Sequence, residues 1–226
     1  GLFGYIKGGT VENLGVLNVS ITGNAYVGGV VGYVYDGTVE NCYSSGSVTG
    51  TGTGHNEGWR VGGLVGYVSI STVANCYSTC SVTGVSDVGG IAGNVYYSTI
   101  QNCYSTGSVI GQNNIGGVAG NIWHYVTLEN CAALNAFISG NDYVGRVSWL
   151  DPTCNLSNNY ALSGIPGTWK YKGLDNTDGA DVTKEDLSDS SIWTTEGNWN
   201  GSQWDSNVWV IADNKLPVLK DLAGHD

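Results

Sequence analysis

The four residues Gly63-Leu64-Val65-Gly66 decide the fold, because the same word of two apolar residues between glycines recurs along the chain. The chain opens on it, with Gly1-Leu2-Phe3-Gly4. Three further copies are Gly29-Val30-Val31-Gly32, Gly90-Ile91-Ala92-Gly93 and Gly117-Val118-Ala119-Gly120. A word that returns at a fixed period is typical of repeat proteins, in which each repeat is one small unit stacked on the next.

A second recurrent glycine gives the length of the repeat. Its copies lie 27, 34, 27 and 29 residues apart, at Gly23, Gly50, Gly84, Gly111 and Gly140. The period is therefore about 27 residues, with one insertion between Thr51 and Trp59. An asparagine follows each word by nine or ten residues, and a degenerate sixth copy adds another: Asn13, Asn41, Asn75, Asn102, Asn130 and Asn158.

Each repeat holds short runs of β-branched and aromatic residues between turn formers, such as Thr38-Val39-Glu40 and Ser47-Val48-Thr49. Such runs predict strands, and no segment before residue 180 has the apolar period of a helix. One unit cannot bury its own apolar side, so neighbours must stack. We predict an all-β fold, a parallel β-solenoid of about six coils of about 27 residues over residues 1–160. Residues 161–226 are predicted to form an irregular, Trp-rich C-terminal cap.

Stacked coils place equivalent residues in columns. Three columns are predicted to point inward: Val11, Val39, Val73, Ile100 and Leu128; Ile6, Val34, Val68, Val95 and Ile122; and Cys42, Cys76, Cys103 and Cys131. A threonine column is predicted at Thr10, Thr38, Thr72, Thr99 and Thr127. The asparagines suit a left-handed corner with amides bonded between coils, and the recurrent glycines suit positive φ at other corners.

These residues resemble the GLUG repeat, named for its Gly-Leu-hydrophobic-Gly word. Gly1–Gly4 and Gly63–Gly66 match the word outright, and the associated Asn-Cys-Tyr-Ser with Gly-Ser-Val-Thr-Gly stands at Asn41 to Gly50. The resemblance covers roughly residues 1–160, but the sixth copy, Gly145-Arg146-Val147-Ser148, has lost both the word and the Cys. GLUG repeats occur in large bacterial surface and secreted proteins, including adhesin-like proteins and the non-catalytic parts of some IgA-cleaving metallopeptidases. The resemblance implies an extracellular or cell-surface module and no known reaction.

Composition excludes several partner classes. The chain of 226 residues has 8 Lys plus Arg against 19 Asp plus Glu, a net charge of −11. A chain so poor in cations is a poor binder of nucleic acid or anionic membrane. It has no apolar run of about 18 residues, so no membrane insertion is predicted. The lack of Met and of a signal segment predicts an excised piece, and the bare coil edge at Gly1 predicts a preceding segment.

The strand after each word predicts an aromatic outer face. If Ile6, Val34, Val68, Val95 and Ile122 point inward, their neighbours point outward. Phe3, Val31 and Val65 are predicted to share this outer face. The predicted ligand-binding residues on it are Tyr5, Tyr33, Tyr35, Tyr67, Tyr96 and Trp123. So large a patch is either covered by the C-terminal segment or a platform where sugar rings or a partner stack. A register slipped by one residue is the third alternative.

The remaining candidates are cysteines, acids and tryptophans. The four stacked cysteines have geometry unsuited to disulfides, so we predict buried thiols; no cofactor and no metal site is predicted. Asp175, Asp178 and Asp181 form an acidic loop that is either solvated, by default, or a Ca²⁺ site. Thr183 is predicted to cap a helical turn at 184–188. Four tryptophans form either the core of a closing element or a sugar platform: Trp193, Trp199, Trp204 and Trp209.

A search for catalytic groups predicts none. The three histidines, His55, His124 and His225, are not in a zinc-peptidase HExxH motif, and the GxSxG motif of serine hydrolases is absent. His55, Glu57 and Arg60 form the only mixed polar group, on the inserted loop, where solvation is the ordinary role.

The sequence therefore predicts a non-catalytic structural or binding module of a secreted or surface-anchored bacterial protein. Its expected role is adhesion to a glycan or to a host or surface protein, next to flanking domains of a larger chain. One alternative is a polysaccharide-acting β-helix enzyme, which needs carboxylates converging in one groove. The other is a filament subunit that assembles with copies of itself.

Overall fold

The computed structural model describes residues 1–52, 59–195 and 204–222. They form the predicted parallel β-solenoid, with about five turns where the sequence predicts about six. Three sheets run along its axis, and their strands pair in parallel with those of the next coil. Within the described ranges, no helix is long and apolar enough to cross a membrane.

The three sheets are named here by their place in each coil. The face sheet has six strands: Phe3–Lys7, Val31–Tyr35, Val65–Ser69, Ala92–Tyr96, Ala119–Trp123 and Ser148–Leu150. The short sheet has five: Ala25–Gly28, Trp59–Gly62, Ser86–Gly89, Asn113–Gly116 and Asp142–Gly145. The long sheet has fourteen: Thr10–Gly23, Thr38–Gly50, Thr72–Ala74, Tyr77–Ser78, Ser81–Thr83, Thr99–Gln101, Tyr104–Ser105, Val109–Ile110, Thr127–Glu129, Ala132–Ala133, Ile138–Ser139, Asn155–Ser157, Tyr160–Leu162 and Ala180–Val182.

The predicted columns are confirmed. Val39 pairs with Val11 and Val73, Val68 pairs with Val34 and Val95, and the threonines share one register. Both apolar columns and the four stacked cysteines enter one continuous core, in which Ile6 of the first coil is only half-buried. Burial of the apolar side of each coil against the next is what holds the solenoid together.

The asparagine corner is confirmed in all six copies, with φ between 51° and 55°. The amide ladder runs in pairs: Asn41 Nδ2 donates to Asn13 Oδ1 at 3.2 Å, and Asn102 Nδ2 donates to Asn75 Oδ1 at 3.1 Å. Asparagine tolerates this left-handed region better than other side chains do, because its amide bonds locally.

The recurrent glycines have a different role from the one predicted. None of the word glycines has positive φ, so that prediction is wrong. They are required for close contact between coils: a Cβ on Gly63 would lie 2.1 Å from the carbonyl oxygen of Gly90 and 2.3 Å from Ser78 Oγ. The serine column fills the space that the glycines leave, since Ser44 Oγ donates to the carbonyl oxygen of Gly63 at 2.7 Å.

The sixth copy continues the solenoid although it has lost the word. Its register lacks one residue, because Ala119 pairs with Ser148 and Asn121 pairs with Trp149, leaving Gly120 without a counterpart. The next loop then closes this end. Thr177 O accepts from Val147 N at 2.9 Å, and Leu174 O accepts from Asn159 N at 2.8 Å. These bonds satisfy backbone donors that would otherwise form an open sheet edge.

The remaining chain lies along the side of the solenoid, and we call residues 183–195 and 204–222 the strap. It contains helices Lys184–Ser188 and Ser191–Thr194 and an antiparallel pair, Trp209–Val210 and Val218–Leu219. The first helix has the predicted N-cap: Thr183 Oγ1 accepts from Asp186 N at 3.0 Å, and Asp186 Oδ2 accepts from Thr183 N at 2.9 Å. This reciprocal capping box satisfies two donors that the helix itself leaves unpaired.

Candidate functional site

The face sheet brings all six predicted binding residues to one side of the solenoid, in two neighbouring columns. One column runs Tyr5, Tyr33, Tyr67, Asn94, Asn121 and Trp149. The other runs Lys7, Tyr35, Ser69, Tyr96 and Trp123. Tyr5 is 56% exposed and the other five predicted residues are half-buried. Since the predicted register holds, these rings do lie on the outside of the sheet.

Two residues predicted on this face are buried instead. Val31 and Val65 belong to the core and are fully buried, although Val31 pairs in register with Phe3 and Val65 pairs with Val31. The word turns the chain at this point, so strict in-and-out alternation starts only after its last glycine. Phe3 is 39% exposed because it belongs to the first coil.

At the N-terminal part of the face the rings stack on one another. The centroids of Tyr33 and Tyr67 are 4.8 Å apart, and those of Tyr5 and Tyr33 are 5.0 Å apart. The Arg60 guanidinium lies 5.0 Å from the centroids of both Tyr26 and Tyr67, and its Nη1 donates to the Tyr26 hydroxyl at 3.0 Å. Desolvation raises the pKa of Tyr33 and Tyr67, so both phenols are neutral hydrogen-bond donors at neutral pH.

At the C-terminal part the rings are tilted. The centroids of Tyr96 and Trp123 are 5.0 Å apart with planes 50° from parallel, and those of Tyr96 and Tyr97 are 4.6 Å apart at 79°. His124 lies 4.8 Å from Trp123, and Tyr125 lies 5.5 Å from Tyr97. Five aromatic side chains from two coils therefore form one cluster, which we call the tilted cluster.

Sequence reasoning missed the residues at the two edges of this face. Tyr97, His124 and Tyr125 stand at the corner after the face strands, and Tyr26 and Tyr143 stand in the short sheet. All five have left-handed φ, between 46° and 57°. The sequence did contain a signal for the corner residues. In an earlier coil the position directly after the face strand is Asp36, a residue that suits a left-handed corner, and later coils have aromatic residues there instead.

The hypothesis that the C-terminal segment covers the predicted face is wrong for its described residues. The strap packs on the long sheet, over a third aromatic column formed by Tyr43, Tyr77 and Tyr104. These rings are nearly parallel, 4.9 and 5.0 Å apart, and the Tyr104 hydroxyl donates to the carbonyl oxygen of Pro217 at 2.7 Å. The sequence did indicate this third column, because each Asn-Cys-Tyr-Ser stretch places a tyrosine at the same position of its coil.

The described tryptophans of the strap form a buried core on the side of the solenoid. Trp193, Trp204 and Trp209 are between 0% and 2% exposed, with the rings of Trp204 and Trp209 4.6 Å apart. Their burial supports a packed core over a sugar platform, but this core lies on the side of the solenoid and does not close its end. Trp199, His55, Glu57 and His225 lie outside the described residues.

The acidic loop caps the last coil. Asp178 is 3% exposed, and its carboxylate accepts from Arg146 N at 3.1 Å and from Tyr171 N at 2.8 Å. The expected solvated loop is therefore wrong at this residue. Asp181 pairs with Arg146 and Lys172 at 2.6 and 2.9 Å. Among the described side chains, no group of three or more His, Cys, Asp or Glu could hold a metal ion.

The described cysteines are free thiols, as predicted. Cys76, Cys103 and Cys131 are fully buried, and desolvation raises the pKa of each well above its usual range. Cys76 Sγ accepts from Cys42 N at 3.4 Å. A thiol whose pKa is raised by burial is a poor nucleophile, so these three residues pack the core and contribute no reactive group. In Cys42 the hydrogen bond with Cys76 lowers the pKa instead, but this side chain is also fully buried.

Comparison with known families identifies the repeat. The model of the GLUG motif matches residues 23–49, 57–83 and 84–110. The chain carries GLUG repeats. In each match the motif spans one solenoid coil, from the short sheet through the face sheet to the long sheet.

A solved structure has a similar fold. The chain is similar to a Bacteroides ovatus protein described as a putative immunoglobulin A1 protease, with a TM-score of 0.76 and 24% identity. The similarity covers 96% of this chain and 70% of that one, so it includes the strap as well as the GLUG coils. No curated protein sequence matches the chain.

Proposed function

We propose that this chain is a non-catalytic binding module of a secreted or surface-anchored bacterial protein, and that its aromatic face binds a glycan. The observation that carries the proposal is the aromatic face itself, whose two ring columns are not covered by the described residues of the strap. The solenoid supplies the rigid support, since each ring projects from a strand paired on both sides over most of the face.

The chemistry of the face favours a glycan over a protein partner. Apolar C–H groups of a sugar ring pack on aromatic rings, while phenol, indole and amide groups bond to its hydroxyls. The face offers these groups: one column contains three tyrosines, the half-buried amide of Asn121 and Trp149. Protein interfaces are also enriched in Tyr and Trp, so the preference for a glycan rests on the hydroxyl and amide groups among the rings.

Cell-surface location forms part of the same proposal. It rests on the GLUG repeats and on the similarity to the Bacteroides protein. No reaction is proposed, and the buried carboxylate of Asp87, in the short sheet beside the face, is already held by the amides of Asn94 and Asn114 at 2.7 Å each.

A glycan array probed with the purified chain tests the proposal. We expect binding to a restricted set of glycans, lost in a variant with Tyr33→Ala, Tyr67→Ala and Trp123→Ala together. Tyr171→Ala is the matched control, because Tyr171 is 63% exposed but lies in the capping loop. Equal binding by the triple variant, or binding to a surface protein and to no glycan, would contradict the proposal.

A further inference from the structure

The two parts of the aromatic face differ in which ring surfaces are free. In the N-terminal part the ring faces are occupied, because Tyr33 stacks with Tyr67 at 28° and Arg60 lies against Tyr67. A sugar meets ring edges at Tyr33 and Tyr67, while Tyr5, which is 56% exposed and tilted 44° to Tyr33, is the exception in the first coil. In the tilted cluster Trp123 lies at 50° to Tyr96 and at 43° to His124, so neither neighbour covers the indole face to face. Stacking of a sugar needs an open ring face, which favours Trp123 as the platform.

The Trp123 indole is held by a chain of hydrogen bonds that ends on a buried carboxylate. Its Nε1 donates to Asn94 Oδ1 at 3.0 Å, and Asn94 Nδ2 donates to Asp87 Oδ2 at 2.7 Å. The other oxygen, Asp87 Oδ1, accepts from Asn114 Nδ2 at 2.7 Å and from Ser86 Oγ at 3.4 Å. Asp87 is 4% and Asn94 is 2% exposed. Short bonds to a charged acceptor fix the orientation of the amide that receives the indole.

The solenoid does not need this network in order to stack. In other coils the position of Asp87 is filled by Tyr26, Arg60, Asn114 and Tyr143, and the position of Asn94 by tyrosine in the first three coils. A buried carboxylate is unfavourable unless it is fully bonded, so its presence in one coil alone calls for a local reason. Orientation of the Trp123 indole is such a reason, since a preorganised platform loses less conformational freedom on binding.

We infer that Asp87, acting through Asn94, is the positioning residue of a sugar-binding centre at Trp123, and that this centre takes a neutral pyranose. The inference rests on the proposed function. A neutral sugar is favoured because the carboxylate lies directly behind the indole and the chain has a net charge of −11. The cations of the face, Lys7 and Arg60, lie in its N-terminal part.

The first test uses the protein without ligand. The chain, which has eight tryptophans, is labelled with 5-fluorotryptophan, and the Trp123 fluorine resonance is assigned from Trp123→Phe. We expect Asp87→Asn and Asn94→Ala each to shift or broaden this resonance and to leave those of the buried strap tryptophans unchanged. A general loss of structure would move all of them. Asp142→Asn, which removes an exposed acid of the short sheet, is the control for charge.

The second test measures affinity by calorimetry with cellohexaose, mannohexaose and laminarihexaose as neutral probes and hexagalacturonate as the acidic one. We expect a neutral probe to bind, and Asp87→Asn and Asn94→Ala each to weaken it about three- to tenfold, the worth of one hydrogen bond. Trp123→Ala should abolish binding, Tyr33→Ala should weaken it less than Trp123→Ala does, and Tyr171→Ala, outside the face, should leave it unchanged.

Each contrary result has a separate meaning. If a neutral probe binds but Tyr33→Ala abolishes binding and Trp123→Ala does not, the inferred centre is wrong and the proposed function stands. Binding of hexagalacturonate alone overturns the neutral ligand. If no probe binds the unmodified chain and the glycan array is negative as well, the proposed function fails and the inferred ligand with it; if the array shows binding to acidic glycans only, the neutral ligand is overturned and the proposed function stands. An unchanged Trp123 resonance in both network variants overturns the positioning role whether or not a sugar binds.

Discussion

Arg146 stands in the last coil at the position that Gly117 fills in the coil before it. At Gly117 a Cβ would lie 2.3 Å from the carbonyl oxygen of Arg146, so the next coil excludes any side chain. No further coil lies beyond Arg146, and its side chain is fully buried against the capping loop, where it donates to Asp181 Oδ1 at 2.6 Å and to the carbonyl oxygen of Gly179 at 3.0 Å. The change from glycine to arginine therefore marks the end of the stack.

Arg146 should be one of the most important residues for closing the solenoid. We expect Arg146→Ala to lower the free energy of unfolding by about 2–4 kcal/mol, since it removes buried packing and several hydrogen bonds at once. Urea unfolding followed by circular dichroism measures the change. Lys172→Ala is the control: its pair with Asp181 is about half exposed and should contribute less than about 1 kcal/mol. Equal effects of the two substitutions would show that the junction does not depend on the buried arginine.

The same junction predicts a pH dependence. The hydrogen bond from Lys172, followed by that from Arg146, lowers the pKa of Asp181. Because the folded-state pKa is below the unfolded value, the stabilisation is present above about pH 4 and is lost as the pH falls through the folded-state pKa. We expect the stability difference between the unmodified chain and Asp181→Asn to shrink steadily below pH 4. Thermal unfolding at a series of pH values checks this, and a difference that grows on acidification would contradict it.

The role of the word glycines can be tested at one repeat position in two settings. At Gly66 a Cβ would lie 2.6 Å from the carbonyl oxygen of Gly32, whereas at Gly4, the same position in the first coil, no atom lies within 4 Å. We expect Gly66→Ala to cost about 3 kcal/mol or more, because neighbouring backbone must move, and Gly4→Ala to be neutral. Chemical denaturation of both variants distinguishes close contact from backbone conformation as the reason for glycine.

The columns of the solenoid were predictable because a fixed period converts spacing in sequence directly into neighbourhood in space. Val39, Val73 and Ile100 needed only their spacing to be stacked correctly. The role of Gly63 was not predictable in this way, since its contacts with Gly90 and Ser78 depend on how closely two sheets approach. Its glycine identity was clear from the sequence, but the physical reason for it was not.

The position of the strap and the edges of the aromatic face depend on contacts that have no period. Trp204 and Trp209 had to be buried against some part of the solenoid, and the sequence offered two outer columns of tyrosine. Which column they contact depends on packing, and it is the one that contains Tyr104. Tyr97 was missed because it occupies a left-handed corner, where propensity favours Asn, Asp or Gly. Residues that oppose local propensity are the ones that sequence rules place worst.

Burial of the cysteine column predicts a simple labelling result. The four stacked thiols and Cys80 are between 0% and 1% exposed, and only Cys154 is partly accessible. We expect iodoacetamide to modify at most Cys154 in the native chain and all six cysteines after denaturation, with mass spectrometry as the measurement. Modification of Cys76 or Cys103 under native conditions would show that the solenoid opens between coils.

The left-handed tyrosines predict a conflict between stability and binding. Tyr97 has φ 46°, which costs a side chain with a Cβ about 1–2 kcal/mol that glycine does not incur. We therefore expect Tyr97→Gly to be more stable than Tyr97→Ala by about 1 kcal/mol, while both lose the ring and bind sugar equally weakly. Denaturation and calorimetry on the same pair of variants measure the two effects separately.

The adjacent residue supplies the control for this last comparison. Tyr96 is part of the strand Ala92–Tyr96 and does not have positive φ, so Tyr96→Gly should be less stable than Tyr96→Ala by about 0.5–1 kcal/mol. The order of the glycine and alanine variants is thus expected to reverse between two neighbouring positions. If the glycine variant is less stable than the alanine variant at both positions, the left-handed backbone of Tyr97 carries no strain. Its conformation is then no sign that the ring is kept there for binding.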